Sequence, residues 1–316
     1  MEAVKLNRIN EIILEPIAEH PWESRAVFNP GTVRDGRTVH MLYRAVEGDN
    51  FSTIGYARVN AKGEVIHRSS NPVIFQDLEM EKQGCEDPRI VPFNDTYYIF
   101  YTGFDGYCAS KSINTRIMMA ETKDFSSYHK IGMIGPDVQD KDAMIFPETV
   151  KGKVVLIHRV VPNIQLAYFD DLQHMIHPEP QYWPAHLDRL HEHTLMFPEH
   201  FWESTKIGAG PPPIRTDAGW LLIYHGVDKD MVYRAGAVLL DEHNPSKLIA
   251  RLPYPILEPI TPYERKGDVD MVVFPEGIIQ FDDELQIYYG AADKVIGMAS
   301  VSLRKLLDAL WQHKVR

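Results

Sequence analysis

Hydrophobic and polar positions alternate along most of this chain, in short bursts separated by turn residues. Segments such as 39-VHMLYRAV-46, 97-YYIFYTGF-104, 153-KVVLIHRVV-161, 219-GWLLIYHGV-227 and 284-ELQIYYGAA-292 have the length and β-branched or aromatic content of strands. Their surroundings repeat. Copies opening at 28-FNPG, 86-EDPR, 146-FPET, 212-PPIR and 274-FPEG each begin with a proline phrase and turn at Gly, Asp or Asn. Each then rises through an alternating strand ending near Tyr or His, and most close with a small-residue strand: 54-IGYA-57, 117-IMMA-120, 164-IQLA-167, 235-AGAV-238, 296-IGMA-299. The copies recur at roughly 60 residues, in the range of sheet-type repeats. The phrases 13-ILEP-16, 71-NPVI-74 and 256-ILEP-259 read as an extra strand ahead of a unit, making about four strands per repeat. This pattern predicts an all-β five-bladed β-propeller as a single domain over residues 1–316. A β-sandwich or a pair of barrels is the competing architecture. Leu303, Leu306, Leu307 and Leu310 at helical spacing predict a short C-terminal helix within 301–316.

Composition narrows the function classes. Lys and Arg total 33 against 44 Asp and Glu, a formal net charge of -11, which argues against duplex nucleic acid as a partner. A few cations could still gather round a small anion. No apolar run approaches the ~20 residues that span a bilayer, and Met1 to Pro16 lacks the apolar stretch of a secretory signal. With only Cys85 and Cys108, the chain has no disulfide framework, so a cytoplasmic location is expected.

In a propeller, residues at one end of the inner strands converge on the axis. The opening phrases offer Asn29, Asp87, Lys141 with Asp142, Lys206, and Asp268 or Asp270; the strand ends offer Arg44, His158 with Arg159, His225 and Asp293. Carboxylates beside cations round one funnel suit glycosyl transfer. An acid protonates the leaving oxygen, and a cationic pocket would hold phosphate in place of a base-activated water. Each residue also has a plainer reading. Asp87-Pro88 is a common turn device, Glu86 and Arg89 could form an ion pair, Lys206 could cap a loop, and His225 could be a core histidine. Arg159 follows an apolar run, so its charge must meet an anion. His186, His191, His193 and His200 show HxH spacing without HExxH or a Cys pair, which reads as a solvated loop over the site and not a metal centre. Trp183, Phe197, Phe201 and Trp202 could stack on sugars or simply pack.

The phrases 84-GCEDPR-89, 141-KDAMIFPE-148, 158-HR-159, 206-KIGAGPPPIRTDAGWLLIYHG-226 and 289-YGAAD-293 resemble glycoside hydrolase family 130. That is a family of five-bladed propellers dominated by β-mannoside phosphorylases, and the likeness runs from about Asn29 to Asp293. It implies inverting phosphorolysis of a β-mannoside to α-mannose 1-phosphate, with phosphate as co-substrate and no metal or organic cofactor. The resemblance makes Asp87 the general acid, acting through a hydroxyl of the bound mannose. It places Lys141, Arg159, Lys206 and His225 on phosphate, and Asn29, Arg44, Asp142 and Asp293 on the mannosyl unit. Lys141-Asp142 stands where some members acting on β-1,4 linkages carry Arg-Asn. Lysine lacks the planar fork of arginine and Asp142 only accepts hydrogen bonds; the resemblance implies that this departure goes with a β-1,2-linked mannobiose or oligomannan, with a β-1,4-linked mannoside as the alternative. The rivals are an inverting β-mannosidase using water, with Glu148 or Glu276 as base, and a non-catalytic carbohydrate-binding propeller. This reading allows a homo-oligomer built on the C-terminal helix.

Overall fold

The computed structural model describes residues 3–107 and 113–315. Cys108 lies outside the described residues, and Cys85 is a buried free thiol. Among the described residues the chain is mostly β. In order, the strands are β1 (Asn7–Leu14), β2 (Ala26–Asp35), β3 (Thr38–Val46), β4 (Ser52–Asn60), β5 (Val65–Arg68), β6 (Gly84–Phe93), β7 (Thr96–Phe104), β8 (Thr115–Thr122), β9 (His129–Met133) and β10 (Lys141–Ile145). There follow β11 (Val154–Arg159), β12 (Ile164–Phe169), β13 (Thr194–Met196), β14 (Lys206–Ala209), β15 (Ile214–Thr216), β16 (Gly219–Val227), β17 (Tyr233–Leu240), β18 (Leu248–Arg251), β19 (Val273–Phe281), β20 (Glu284–Ala291) and β21 (Val295–Ser302). Short helices α1 (Leu172–Ile176), α2 (Tyr182–Asp188) and α3 (Pro262–Arg265) precede a C-terminal α4 (Leu303–Trp311).

Four sheets result. One runs β10-β11-β12-β13, one β14-β16-β17-β18 with β15 also on β16, and one β19-β20-β21-β1, in which the N-terminal strand forms the outer edge. The fourth joins the meanders β2–β5 and β6–β9, which meet through a single parallel pair, Ser52 with Gly84. The first strands of successive meanders touch in turn: β2 contacts β6 and β19, β6 contacts β10, and β10 contacts β14. Two-residue turns close the first hairpins, with positive φ at Gly36, Asn94 and Asp282, so all of these loops lie at the end opposite the strand starts.

A buried polar lock recurs between meanders. Glu23, Glu81, Glu203 and Glu264 are fully buried in short helical turns just ahead of β2, β6, β14 and β19. Each accepts a tyrosine hydroxyl from the second strand: Tyr43 at 2.8 Å, Tyr101 at 2.9 Å, Tyr224 at 2.8 Å and Tyr289 at 2.8 Å. A cation from the outermost strand completes each one, namely Arg68, Lys130, Arg251 and Arg8. The small residues of the third strands now have a cause. A Cβ on Gly55 would come 2.4 Å from the Tyr43 ring, and one on Gly297 would come 2.5 Å from that of Tyr289.

Two expectations need correction. Neither 71-NPVI-74 nor 256-ILEP-259 is a strand. Each gives one isolated bridge, Ile74 to Ile54 and Leu257 to Ala235, because the flanking prolines lack the N–H a ladder needs. The fourth strands are β5, β9, β13, β18 and β1 instead. The repeat alignment of 146-FPE-148 with 274-FPE-276 is also out of register. Lys141 sits opposite Arg159 as Phe274 sits opposite Gly290, so 274-FPE-276 lies at the start of β19 while 146-FPE-148 lies just past the end of β10. Helix α4 forms as expected, capped by the Ser302 hydroxyl, with Leu306 and Leu310 buried against the protein's own sheet. No helix among the described residues is long and apolar enough to cross a membrane.

Candidate active site

The site is built from irregularities at the starts of the inner strands. Register slips between Phe28 and Pro30, Glu86 and Arg89, Lys141 and Met144, and Pro275 and Gly277. These β-bulges re-aim Asn29, Asp87, Asp142 and Glu276. Asn29, Asp87 and Asp142 take the left-handed φ values 48°, 52° and 55°, and Asp293 in the turn after β20 takes 50°. Asn and Asp are the non-glycine types that tolerate this region best, and such strain concentrates at functional sites.

On one side lies an acid cluster. Asp87 is buried and accepts from Asn29 Nδ2 at 2.9 Å and from Arg44 Nη1 at 3.4 Å. Arg44 also donates to Glu86 at 2.7 Å and to Ser52 at 2.9 Å, and lies over the Phe28 ring. Burial alone would push the Asp87 carboxyl up. Arg44, Lys141, the Asn29 hydrogen bond and Arg89 outweigh it and hold Asp87 below its ordinary range. Glu86 is raised, because burial and the neighbouring Asp87 exceed the pull of Arg44. Asp293 shares this field and is pushed up by burial to about 7, despite Arg44.

Opposite is a cluster of basic side chains. Lys141 and Arg159 face each other across β10 and β11, and His225 faces Gly208 across β16 and β14. Asp142 lies among them, its Oδ2 3.0 Å from Arg159 Nη1 and 3.7 Å from His225 Nε2. Burial opposes its charge, but Arg159, Arg89, His225 and Lys141 hold it ionised far below the usual range. A Cβ at residue 208 would stand 2.3 Å from that Oδ2, so only glycine lets the strands close here. Burial, then Arg159 and Lys141, bring the Lys206 ammonium down to about 8; it sits 5.4 Å above the Tyr233 ring. Burial keeps His225 neutral, against Asp142. Arg159 Nε and both His225 ring nitrogens are buried with no hydrogen-bond partner among the described residues. Mutually repelling cations with open donors make a socket for an anion.

The structure thus brings Asn29, Arg44, Asp87, Lys141, Asp142, Arg159, Lys206, His225 and Asp293 into one electrostatically linked group. Sequence reasoning missed Arg89, which does not pair with Glu86. It runs under the site, donating to Gly210 O at 2.8 Å and Ala209 O at 3.0 Å and lying 3.3 Å from Glu276 and 3.4 Å from Asp142. Tyr233 was missed too; it lies in the field of both halves. The phrase 84-GCEDPR-89 carried the signal for Arg89, whereas nothing local marks Tyr233.

Other candidates fall away. Glu148 is half-exposed on the surface and paired with Arg215. Asp268 pairs with Arg25 and Asp270 with Lys266. The histidine segment is not a solvated loop throughout. His186 is buried on α2 against His158, while His191 is exposed and His200 serves as a cap. Trp202 is fully buried, Trp183 packs edge-on to His158, and Phe197 and Phe201 are exposed. No group of three or more His, Cys, Asp or Glu among the described residues is placed to hold a metal ion.

Residues 4–312 match glycoside hydrolase family 130, described as beta-1,4-mannooligosaccharide phosphorylase. The chain is 39% identical to a 1,2-beta-oligomannan phosphorylase of Thermoanaerobacter sp. (strain X514), covering 96% of this chain and 99% of that one. It is 40% identical, with the same coverage, to a beta-1,2-mannobiose phosphorylase of the same organism. The fold is similar to a beta-1,2-mannobiose phosphorylase from Listeria innocua in complex with beta-1,2-mannobiose, with a TM-score of 0.78 at 24% identity over 96% of each chain. With the match spanning nearly every residue, the chain belongs to glycoside hydrolase family 130.

Proposed function

We propose that this chain is an inverting β-mannoside phosphorylase, a single domain over residues 1–316 whose five meanders form the blades of a β-propeller, closed by β1 on β21. Inorganic phosphate sits among Lys141, Arg159, Lys206 and His225. One of its oxygens attacks the anomeric carbon as the glycosidic C–O bond breaks, and the leaving oxygen takes a proton. The products are α-mannose 1-phosphate and a shortened acceptor, so the reaction balances with phosphate as its co-substrate. Asn29, Arg44, Asp142 and Asp293 hold the mannosyl unit.

The observation that carries this reading is the half-buried cation cluster beside Asp87, with open donors on the buried Arg159 and His225. Bringing phosphate to such a cluster offsets its repulsion and provides much of the catalysis by position and charge. The same event addresses an apparent obstacle. The protein's own cations keep Asp87 ionised, which is the wrong state for an acid. An arriving phosphate carries negative charge into that field, neutralises the pull of Lys141 and raises the proton affinity of Asp87. The acid therefore forms in the ternary complex, passing its proton through a mannose hydroxyl.

The β-1,2 linkage is favoured by the two relatives named for β-1,2 activities. The Asp142 carboxylate is held ionised among the basic groups, ready to accept from a hydroxyl of the mannosyl unit. A water-using mannosidase finds less support: Glu148 lies on the surface, and Glu276 is pushed well above the carboxylate range by burial, the opposite of what a base needs. A cytoplasmic location goes with this reading, on the usage of only two cysteines. The test is α-mannose 1-phosphate with a set of acceptor sugars. Acceptor-dependent phosphate release supports the phosphorylase and gives the linkage; silence there, with phosphate-independent mannose release from β-mannosides, rejects it.

A further inference from the structure

Four of the five meanders carry the Glu–Tyr–cation lock, and the remaining one departs from it. In that meander, β10 to β13, His158 occupies the ladder position that Tyr43, Tyr101, Tyr224 and Tyr289 hold elsewhere. Each of these residues immediately precedes one paired with a residue in the first three positions of the inner strand: Arg159 opposite Lys141, as Arg44 is opposite Phe28 and His225 opposite Gly208. Asp140, 1% exposed, takes the place of the buried glutamate. His186 from α2 takes the place of the cation. His158 Nδ1–H donates to Asp140 Oδ2 at 2.7 Å, and His158 Nε2 lies 3.0 Å from His186 Nε2, so one proton bridges the rings. The His193 ring stacks on His186 at 4.2 Å. Where three of the other meanders place a glycine opposite the lock tyrosine (Gly55, Gly236 and Gly297) and the fourth places Met118, this one has Gln165 opposite His158, its amide closing both hydrogen bonds to the Val160 backbone.

The substitution falls in the meander that supplies two of the pocket cations. The second oxygen of Asp140 accepts the backbone N–H of Arg159 at 3.0 Å, and Asp140 is the residue before Lys141. One buried carboxylate thus fixes the chain on both sides of the Lys141–Arg159 pair, and His158, wedged against His186, fixes the carboxylate. The other locks are separated from their inner strands by at least a residue and touch no pocket backbone through the acid. We propose that Asp140, His158 and His186 are positioning residues that set the phosphate pocket by holding Lys141 and Arg159 at a fixed separation. This rests on the phosphate reading of those two cations.

Substrate positioning is sensitive to such support, since a misplacement of about 1 Å costs up to about a hundredfold in rate. The experiment measures KM for phosphate and for the mannoside in the unmodified protein, Asp140→Asn, His158→Leu, His158→Gln and His186→Gln. Tyr289→Phe, in a lock that carries no pocket cation, is the control. Phosphate KM should rise roughly tenfold in Asp140→Asn and His158→Leu, with mannoside KM within about twofold, and His158→Gln should recover part of the loss by restoring a donor to Asp140. Tyr289→Phe should lower the melting temperature and leave phosphate KM unchanged. Should His158→Leu fail to fold, Asp140→Asn and His186→Gln read out the same effect. Unchanged phosphate KM in the folded variants overturns the proposal, as does an equal rise for both substrates or in the control. Absence of phosphate dependence in the unmodified protein instead overturns the phosphorylase reading itself, before any variant is compared.

Discussion

Lys206 gives the sharpest handle on the anion socket. Its ammonium falls from 10.5 to about 8, chiefly by burial and then by Arg159 and Lys141. At 1.36 kcal/mol per pKa unit this is at most about 3 kcal/mol of strain against the charged form, less once solvent screening of the partly exposed ammonium is counted. The sign is that of a depressed cation: below pH 8 the charge is present and destabilising, and the cost is relieved as pH rises through 8 towards the unfolded value. Replacing the ammonium by an apolar group of similar length removes the cost. Lys206→Met should therefore leave the phosphate-free protein at least as stable; even a third of the strain, about 1 kcal/mol, is worth roughly 2 °C in Tm. The same change deletes a charge-assisted hydrogen bond to phosphate, worth about 1.5–3 kcal/mol, so phosphate KM should rise about ten- to hundredfold. In the unmodified enzyme, kcat/KM for phosphate should fall as pH passes about 8, since that ratio reports the free enzyme. Lys206→Arg should move this limb to higher pH. The assay is initial-rate phosphorolysis at varied phosphate from pH 6 to 10, with thermal melts alongside. A phosphate KM within twofold of the parent in Lys206→Met, or an alkaline limb that persists in that variant, would refute the assignment.

Further outcomes follow from the same geometry. Asp87→Asn should abolish turnover while leaving the melting temperature within a few degrees; measurable activity above the background would remove Asp87 as the acid. Glu276→Gln mimics the protonated carboxyl that burial already enforces, so kcat should stay within about threefold; its loss in phosphate-free hydrolysis would point to the water mechanism. Gly208→Ala forces a methyl to 2.3 Å from Asp142 and 2.4 Å from His225. It should cost about 1–3 kcal/mol of stability and weaken phosphate more than it weakens an unrelated probe of folding such as near-UV dichroism. Unaltered phosphate KM there would show that the close approach is not needed.

The alternation of 39-VHMLYRAV-46 or 219-GWLLIYHGV-227 was enough to place strands, since each side chain set must choose a face. The register at their ends was not legible, because a single bulged residue at Asn29, Asp87 or Asp142 reverses which face follows. That is why 146-FPE-148 and 274-FPE-276 looked equivalent although Glu148 reaches solvent and Glu276 is buried against Arg89. The locks escaped for a different reason. Arg8 meets Glu264 across the two ends of the chain, and Arg68 meets Glu23 from 45 positions away, so no local spacing betrays them. The residues legible for the site were those carried by distinctive phrases, such as Lys206 and Gly208, whereas Tyr233 acquires its place only through tertiary packing.

The most direct measurement is phosphorolysis of β-1,2-mannobiose with and without inorganic phosphate, with the sugar products resolved. The expected result is α-mannose 1-phosphate and mannose in equal amounts with phosphate, and no cleavage without it. Free mannose appearing at the same rate in phosphate-free buffer, with no sugar phosphate in either, would contradict a socket for phosphate among Lys141, Arg159, Lys206 and His225.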